Sequence, residues 1–133
     1  NYSVPRSNIT YDADGLGTFL RGYLKGAIPF NNNAKPYKKE NYQNLKTQCS
    51  YKFGEKVNDA EVYIEDKTYR DEMIEEFEQI KKEDIDQDGK MKITPKKKIK
   101  ELLGRSPDFS DMCIMRAVFE YKKKGGWGKS TTK

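Results

Sequence analysis

Aspartates at two distant points of the chain are the side chains best suited to chemistry. Asp12 and Asp14 precede a glycine-rich turn, and Asp111 stands at the start of an otherwise apolar helical stretch. The chain has no histidine, which excludes Ser-His-Asp and Cys-His catalysis and histidine-containing zinc sites. Carboxylate oxygens are the ligands that Mg²⁺ and Mn²⁺ prefer, and two such ions about 4 Å apart can activate water for phosphodiester cleavage. Divalent-metal chemistry on a phosphodiester is therefore open to this sequence.

The same aspartates could equally serve as helix caps. Asp is a favoured residue at the N-terminal end of a helix, where its charge also interacts well with the helix dipole. Asp12 or Asp14 could cap the helix predicted after the glycine-rich turn. Ser106, Asp108 and Ser110 compete with Asp111 for the corresponding role in the last helix. The residues alone leave both interpretations open.

Asp12 and Asp14 must be held in place by the short strands and the helix that the sequence predicts around them. Residues 8–11 (NITY) predict a strand that ends beside Asp12, and residues 27–30 (AIPF) predict a second one. Between them, apolar side chains at helical spacing predict a helix that ends at Gly26. These side chains are Leu16, Phe19, Leu20, Tyr23 and Leu24.

Two longer helices are expected in the middle of the chain. The first should run from residue 42 to residue 57 after an Asn41 cap, and the second over residues 69–82 with acids on its outer face. The expected inward side chains are Leu45, Cys49 and Phe53 in the first helix, and Met73, Ile74, Phe77 and Ile80 in the second.

The C-terminal third is expected to present the last acid. Residues 90–94 alternate polar and apolar side chains, which is typical of an edge strand. Thr94 should then cap a helix with Pro95 at its first position, and Gly104 should end it. After Ser106, the sequence predicts a last, largely buried helix.

The net charge of +5 hides two regions of opposite sign. Residues 59–88 carry 13 acidic and four basic side chains, whereas residues 90–105 carry seven basic and one acidic. A lysine-rich face can be a solvated surface, or it can bind a phosphate backbone. In the second case, the candidate DNA-binding residues are Lys96, Lys97, Lys98, Lys100 and Arg105.

Residues 84–89 (DIDQDG) resemble the first half of a calcium-binding EF-hand loop. Asp84, Asp86, Asp88 and Gly89 match positions 1, 3, 5 and 6 of that loop. The Glu required at position 12 is replaced by Pro95. We therefore expect a polar turn at this place rather than a calcium sensor.

Cysteine content and hydropathy argue against a disulfide-rich protein and against a membrane-spanning one. Cys49 and Cys113 do not make a disulfide framework, and both are expected to act as small apolar side chains. No apolar run approaches the roughly 18 residues needed to cross a bilayer, and the first residues do not resemble a signal peptide. We expect no membrane partner.

Two blocks of sequence resemble the nuclease domain of the large terminase subunits of tailed phages. Residues 10–26 (TYDADGLGTFLRGYLKG) are similar to that family's second acidic motif, in which an acid ends a strand before a glycine-containing helix start. Residues 96–121 (KKKIKELLGRSPDFSDMCIMRAVFEY) are similar to the end of the domain, where the last acid opens a helix. The order and separation of the two blocks also agree with the family.

The resemblance implies an α/β, RNase H-like fold with a mixed central sheet flanked by helices. It implies a hydrolase with two Mg²⁺ or Mn²⁺ ions that cuts concatemeric double-stranded viral DNA during packaging, in the cytoplasm of the bacterial host. Portal protein and the small terminase subunit are the implied protein partners. Asp12 matches the second metal-binding acid and Asp111 the last, with Asp14 and Asp108 as near alternatives.

The sequence departs from the family pattern in two ways. Residues 1–8 (NYSVPRSN) contain no acid that could match the family's first, and the Walker A motif of the packaging ATPase is absent. We therefore expect residues 1–121 to be a partial nuclease domain of a larger phage or prophage terminase, followed by a basic tail at residues 122–133. Alone, the chain should bind Mn²⁺ weakly and cut DNA poorly. The alternatives are a non-catalytic nucleic-acid-binding module and a resolvase-type RNase H-like nuclease.

Overall fold

The computed structural model describes residues 3–85 and 87–122, and for Leu16 it describes the backbone alone. The predictions for Asp86, for the Leu16 side chain and for residues 123–133 of the basic tail lie outside this range. In chain order the elements are β1 (Thr10–Asp12), α1 (Leu20–Tyr23), β2 (Ile28–Phe30), α2 (Leu45–Asn58), α3 (Arg70–Glu78), β3 (Lys82–Glu83), β4 (Lys92–Ile93), α4 (Lys96–Leu103), α5 (Asp108–Arg116) and α6 (Val118–Lys122). The predicted α/β class is confirmed.

The strands of the described residues form two separate pairs. β1 and β2 are parallel, with Asp12 opposite Phe30, whereas β3 and β4 are antiparallel, with Lys82 opposite Ile93. The parallel pairing requires a crossover, which here contains a 3₁₀ turn and α1. The parallel and the antiparallel pair belong to different sheets, so the predicted mixed central sheet is not formed by the described strands. The described strands are only two or three residues long, and they do not join into one central sheet.

The helix predicted after β1 is shorter and more exposed than expected. Gly15–Phe19 form the 3₁₀ turn, and only Leu20–Tyr23 are α-helical. Phe19 is 58% exposed and Tyr23 is 80% exposed. The expected apolar stripe is thus wrong for these side chains, because a single helical turn cannot present a continuous face to the core.

The hydrophobic core lies where β2, α2 and the last two helices meet. Its buried side chains are Ile28, Phe30, Leu45, Cys49, Ile114, Ala117 and Val118. Phe53 packs against this core and stacks on Phe77, with ring centroids 5.1 Å apart. The predicted inward face of α2 is confirmed.

α2 begins later than predicted because Asn44, rather than Asn41, is its cap. The Oδ1 of Asn44 accepts the N–H of Thr47 at 2.9 Å. The side-chain Nδ2 of Asn41 instead donates to the carbonyl oxygen of Gly89 at 2.8 Å. Two similar asparagines therefore have different roles, because only one stands at the point where the helical backbone starts.

Thr94 is likewise used for a contact between elements rather than as a cap. Its Oγ1 accepts the backbone N–H of Lys81 at 3.1 Å, and no side chain caps α4. The end of α4 is as predicted: Gly104 adopts a φ of 70°, a left-handed conformation that glycine tolerates best.

α3 turns a slightly different face inward than predicted. Phe77 and Ile80 pack against the core, but Ile74 is 45% exposed and Glu76 is fully buried. Glu76 lies three residues after Met73 and four before Ile80, so it belongs to the same helical stripe. The prediction that acids cover only the outer face is wrong for Glu76, and the inward placement of Ile74 is also wrong.

The last helix predicted from the sequence differs from the structure in continuity and in burial. The predicted last helix is divided, because α5 ends at Arg116 and α6 resumes at Val118. It is also only partly buried, since Met112 is 53% exposed.

In the part of the chain that the structure describes, no helix has the length and apolar character to cross a membrane.

Candidate active site

Asp12 ends β1, and the turn that follows determines its backbone position. Its Oδ1 accepts the N–H of Asp14 at 3.0 Å. Gly17 packs so tightly against the Asp12 carbonyl group that a Cβ at this glycine would overlap it. Asp12 itself is exposed. The turn therefore places an accessible carboxylate at the carboxyl end of the parallel strand pair.

Asp14 connects this turn to the residues after β2. Its Oδ2 accepts hydrogen bonds from the backbone N–H and the side-chain Nδ2 of Asn32, at 3.0 and 2.6 Å. It makes no capping hydrogen bond to the 3₁₀ turn that it precedes. One carboxylate oxygen of Asp14 is thus already used to join the ends of the two strands.

Asp111 lies in the first turn of α5, between two lysines. The Nζ of Lys46 donates to its Oδ1 and the Nζ of Lys96 donates to its Oδ2, both at 2.6 Å. The side chains of Lys46 and Asp111 are only 13% and 17% exposed. Because these charges are largely removed from water, their attraction is stronger than that of a surface pair. The two lysines determine where the Asp111 carboxylate lies.

Lys96 interacts with carboxylates from both distant parts of the chain. Burial lowers the pKa of Lys96, but its hydrogen bond to Asp111 and the negative charges of Asp111, Asp12 and Asp108 raise that pKa more. The packing of α5 against β1 explains this arrangement. Lys96 is thus hydrogen-bonded to Asp111, and its ammonium group also interacts electrostatically with Asp12 and Asp108.

The donor chemistry of this site suits a hard divalent cation. Mg²⁺ commonly binds one or two carboxylates and keeps several waters, and Mn²⁺ accepts the same oxygen ligands. The ligands predicted from the sequence are Asp12 and Asp111, with Asp14 and Asp108 as alternatives. Among the described residues, however, no group of three or more acidic, Cys or His side chains is arranged around one point. A metal ion at Asp111 would also compete with Lys46 and Lys96, because all three are cations.

The five predicted DNA-binding cations fall into two groups. Lys96 is paired with Asp111, Arg105 with Glu75 and Glu76, and Lys98 loosely with Glu83 at 3.9 Å. Lys97 and Lys100 are exposed on α4. The latter two are the residues in this set most accessible to a phosphate backbone.

The segment that resembles a calcium-binding loop, residues 84–89, connects β3 to β4 along the chain. A turn is present at residues 87–88, as predicted. The Oδ1 of Asp88 accepts the N–H of Lys90 at 3.0 Å, and this hydrogen bond is the main reason that the pKa of Asp88 is lowered. Asp88 thus stabilises the turn of a hairpin.

Lys46 and Glu76 are parts of the site that the sequence did not reveal. Lys46 lies on α2 among many lysines, and no pattern distinguishes it. Glu76 could have been found, because it falls on the inward stripe of α3. Its Oε1 accepts from the Nη1 of Arg105, and its Oε2 accepts from the N–H of Ser110, the residue before Asp111.

Comparison with known proteins supports the fold. No family model and no curated protein matches the chain. It is similar to a mutant nuclease domain of the large terminase subunit gp2 of bacterial virus Sf6 with manganese, at a TM-score of 0.58 and 19% identity over 81% of this chain and 64% of that one. It is equally similar to gp2c of the large terminase subunit from bacteriophage Sf6 with calcium, covering 63% of that chain. The chain thus spans slightly less than two thirds of these domains, and it shares the fold of the terminase nuclease domain, as the two sequence blocks predict.

Proposed function

We propose that this chain is part of the nuclease domain of a phage or prophage large terminase subunit. The complete protein would be a Mg²⁺- or Mn²⁺-dependent endonuclease that cuts concatemeric double-stranded viral DNA during packaging, with portal protein and the small subunit as partners. The proposal depends chiefly on Lys96, which donates to Asp111 at 2.6 Å and whose pKa is also raised by the negative charges of Asp12 and Asp108. Similarity to nuclease domains with manganese and calcium supports it.

Asp12 and Asp111 are the proposed metal ligands, with Asp14 and Asp108 as alternatives. A bound divalent ion would supply the Lewis acid for phosphodiester hydrolysis. The chain's own contribution is positional: the turn after β1 presents Asp12, and α5 presents Asp111. Lys46 and Lys96 orient Asp111, because the carboxylate is their shared hydrogen-bond acceptor.

DNA is proposed to lie along the exposed face of α4. Lys97 and Lys100 would bind phosphates directly. Lys98 would join them, because its exposed pair with Glu83 is long and of little energetic value. Lys96 and Arg105 would contribute only where phosphates replace their present acidic partners.

The decisive experiment uses two assays: Mn²⁺ binding by the 133-residue chain, and plasmid cleavage by the full-length parent protein. Each assay compares wild type with variants of the proposed ligands. Asp12→Asn and Asp111→Asn keep the side-chain shape and remove the charge. Asp59→Asn is the matched control, because Asp59 is an exposed aspartate at the end of α2. We expect both site variants to lose Mn²⁺ binding and cleavage while remaining folded, and the control to behave as wild type. Cleavage at the wild-type rate by the site variants would refute the assignment.

A non-catalytic DNA-binding module is the second candidate, because Lys97 and Lys100 are exposed on α4 and could bind phosphates without a metal ion. This alternative predicts DNA binding that weakens with salt but does not change with EDTA, Asp12→Asn or Asp111→Asn. Vigorous EDTA-sensitive cleavage by the 133 residues alone would instead show that no further acid is needed.

A further inference from the structure

Glu76 is a completely buried carboxylate whose two oxygens have different partners. Its side chain is 0% exposed, although it lies on a helix rich in acidic surface residues. One oxygen accepts from Arg105, and the other accepts the backbone N–H of Ser110 at 2.7 Å. Burying a carboxylate is costly unless it is paired and hydrogen-bonded, and both conditions are met here.

The hydrogen bond to Ser110 replaces a helix cap. The N–H groups of the first helical turn have no partner within the helix. The residue before α5 is Pro107, which offers no capping side chain. Glu76 reaches this turn from α3 and supplies the acceptor, and its negative charge also suits the helix N-terminus.

This contact acts on the backbone that carries Asp111. Ser110 directly precedes Asp111, so Glu76 holds the main chain at this point while Lys46 and Lys96 hold the carboxylate. We propose that Glu76 is a positioning residue for the metal site: it orients the first turn of α5 so that Asp111 points toward Lys46 and Lys96. This inference relies on the proposed function for the identity of the ligand.

Glutamine at this position isolates the effect. Gln has the shape of Glu but only one acceptor oxygen, and its other terminal atom is a donor. In Glu76→Gln that NH₂ group must face either the guanidinium of Arg105 or the N–H of Ser110, so one of these donors loses the acceptor oxygen that Glu76 supplies. Glu75→Gln is the matched control, because Glu75 also pairs with Arg105, at 3.1 Å, but does not contact Ser110.

The test measures amide hydrogen exchange at Ser110 and Mn²⁺ affinity by calorimetry on the full chain, below the melting temperature of each variant. We expect Glu76→Gln to accelerate exchange at Ser110 and to weaken Mn²⁺ binding about tenfold, the effect typical of lost support behind a metal ligand. Glu75→Gln should do neither. If Glu76→Gln loses stability but binds Mn²⁺ as wild type does, Glu76 is only structural and the inference is overturned.

A double-mutant cycle of Glu76→Gln with Lys46→Met tests, without metal, whether Glu76 positions Asp111. If Glu76 positions Asp111 against Lys46, the loss of stability caused by Glu76→Gln will differ between chains with and without Lys46. Additive effects would overturn the inference. If wild type binds no Mn²⁺, the assignment of Asp12 and Asp111 as metal ligands of this chain fails, and this cycle still supports or refutes the positioning of Asp111 by Glu76.

Discussion

Replacing Gly17 with alanine should destabilise both the fold and the site. The new Cβ would overlap the carbonyl oxygen and carbon of Asp12. These are backbone atoms, so they cannot rotate away as a flexible side chain could. Either the 3₁₀ turn or the end of β1 must move, and Asp12 moves with the latter.

The expected size of the effect follows from this clash. Overpacking typically costs about 1–3 kcal/mol, and a rigid backbone neighbour places Gly17→Ala near the upper value, ~3 kcal/mol. For a domain of this length, each kcal/mol lowers the melting temperature by roughly 3–5 °C, so we expect a decrease of roughly 9–15 °C. Mn²⁺ affinity should fall as well, because the proposed ligand Asp12 is displaced.

Gly22→Ala is the control within the same segment. Gly22 lies in α1, and a Cβ there would meet nothing within 4 Å. Alanine is the better helix former by about 1 kcal/mol, so the melting temperature should stay constant or rise. Thermal unfolding followed by circular dichroism compares the two variants. If Gly17→Ala has the melting temperature of wild type, the close contact between Gly17 and the Asp12 carbonyl group is contradicted.

Four other predictions concern the site, the cap of α2 and the buried core. Lys46→Met removes one of the two ammonium groups that bind the largely buried Asp111. The unfolding free energy in urea should therefore fall by about 1–3 kcal/mol, the cost of a buried group that loses a hydrogen-bond partner. An unchanged value would mean that Lys96 alone suffices. Asn44→Ala removes the cap of α2 and should cost about 1 kcal/mol in the same assay, and no loss would contradict the assigned cap. Burial raises the pKa of the Cys49 thiol to about 12, so a thiol reagent should modify Cys113 first and Cys49 only on unfolding; rapid native modification of Cys49 would contradict its burial. Because the unfolded thiol ionises near its ordinary pKa of 9.0, stability should decline between pH 9 and 12, and less so in Cys49→Ala.

Local patterns were informative wherever neighbouring residues decide the structure. The end of α4 at Gly104 depends on a left-handed conformation that glycine favours, and the inward face of α2 depends on helical spacing. The same reasoning failed for Phe19 and Tyr23, because an apolar stripe predicts burial only if another element covers it. It also failed for Asn41, since a cap is defined by where the helical backbone begins.

The resemblance of two sequence blocks to terminase nuclease domains predicted the α/β class, and it made Asp12 and Asp111 the proposed site residues. Tertiary structure alone decided how these acids are held. The pair of Lys46 with Asp111 joins residues 65 positions apart, and the bond from Ser110 to Glu76 joins residues 34 apart. Such contacts depend on how α2, α3 and α5 pack. A lysine or glutamate has the same local propensity whether its charge is solvated or buried against a distant partner, so only the assembled fold distinguishes the two.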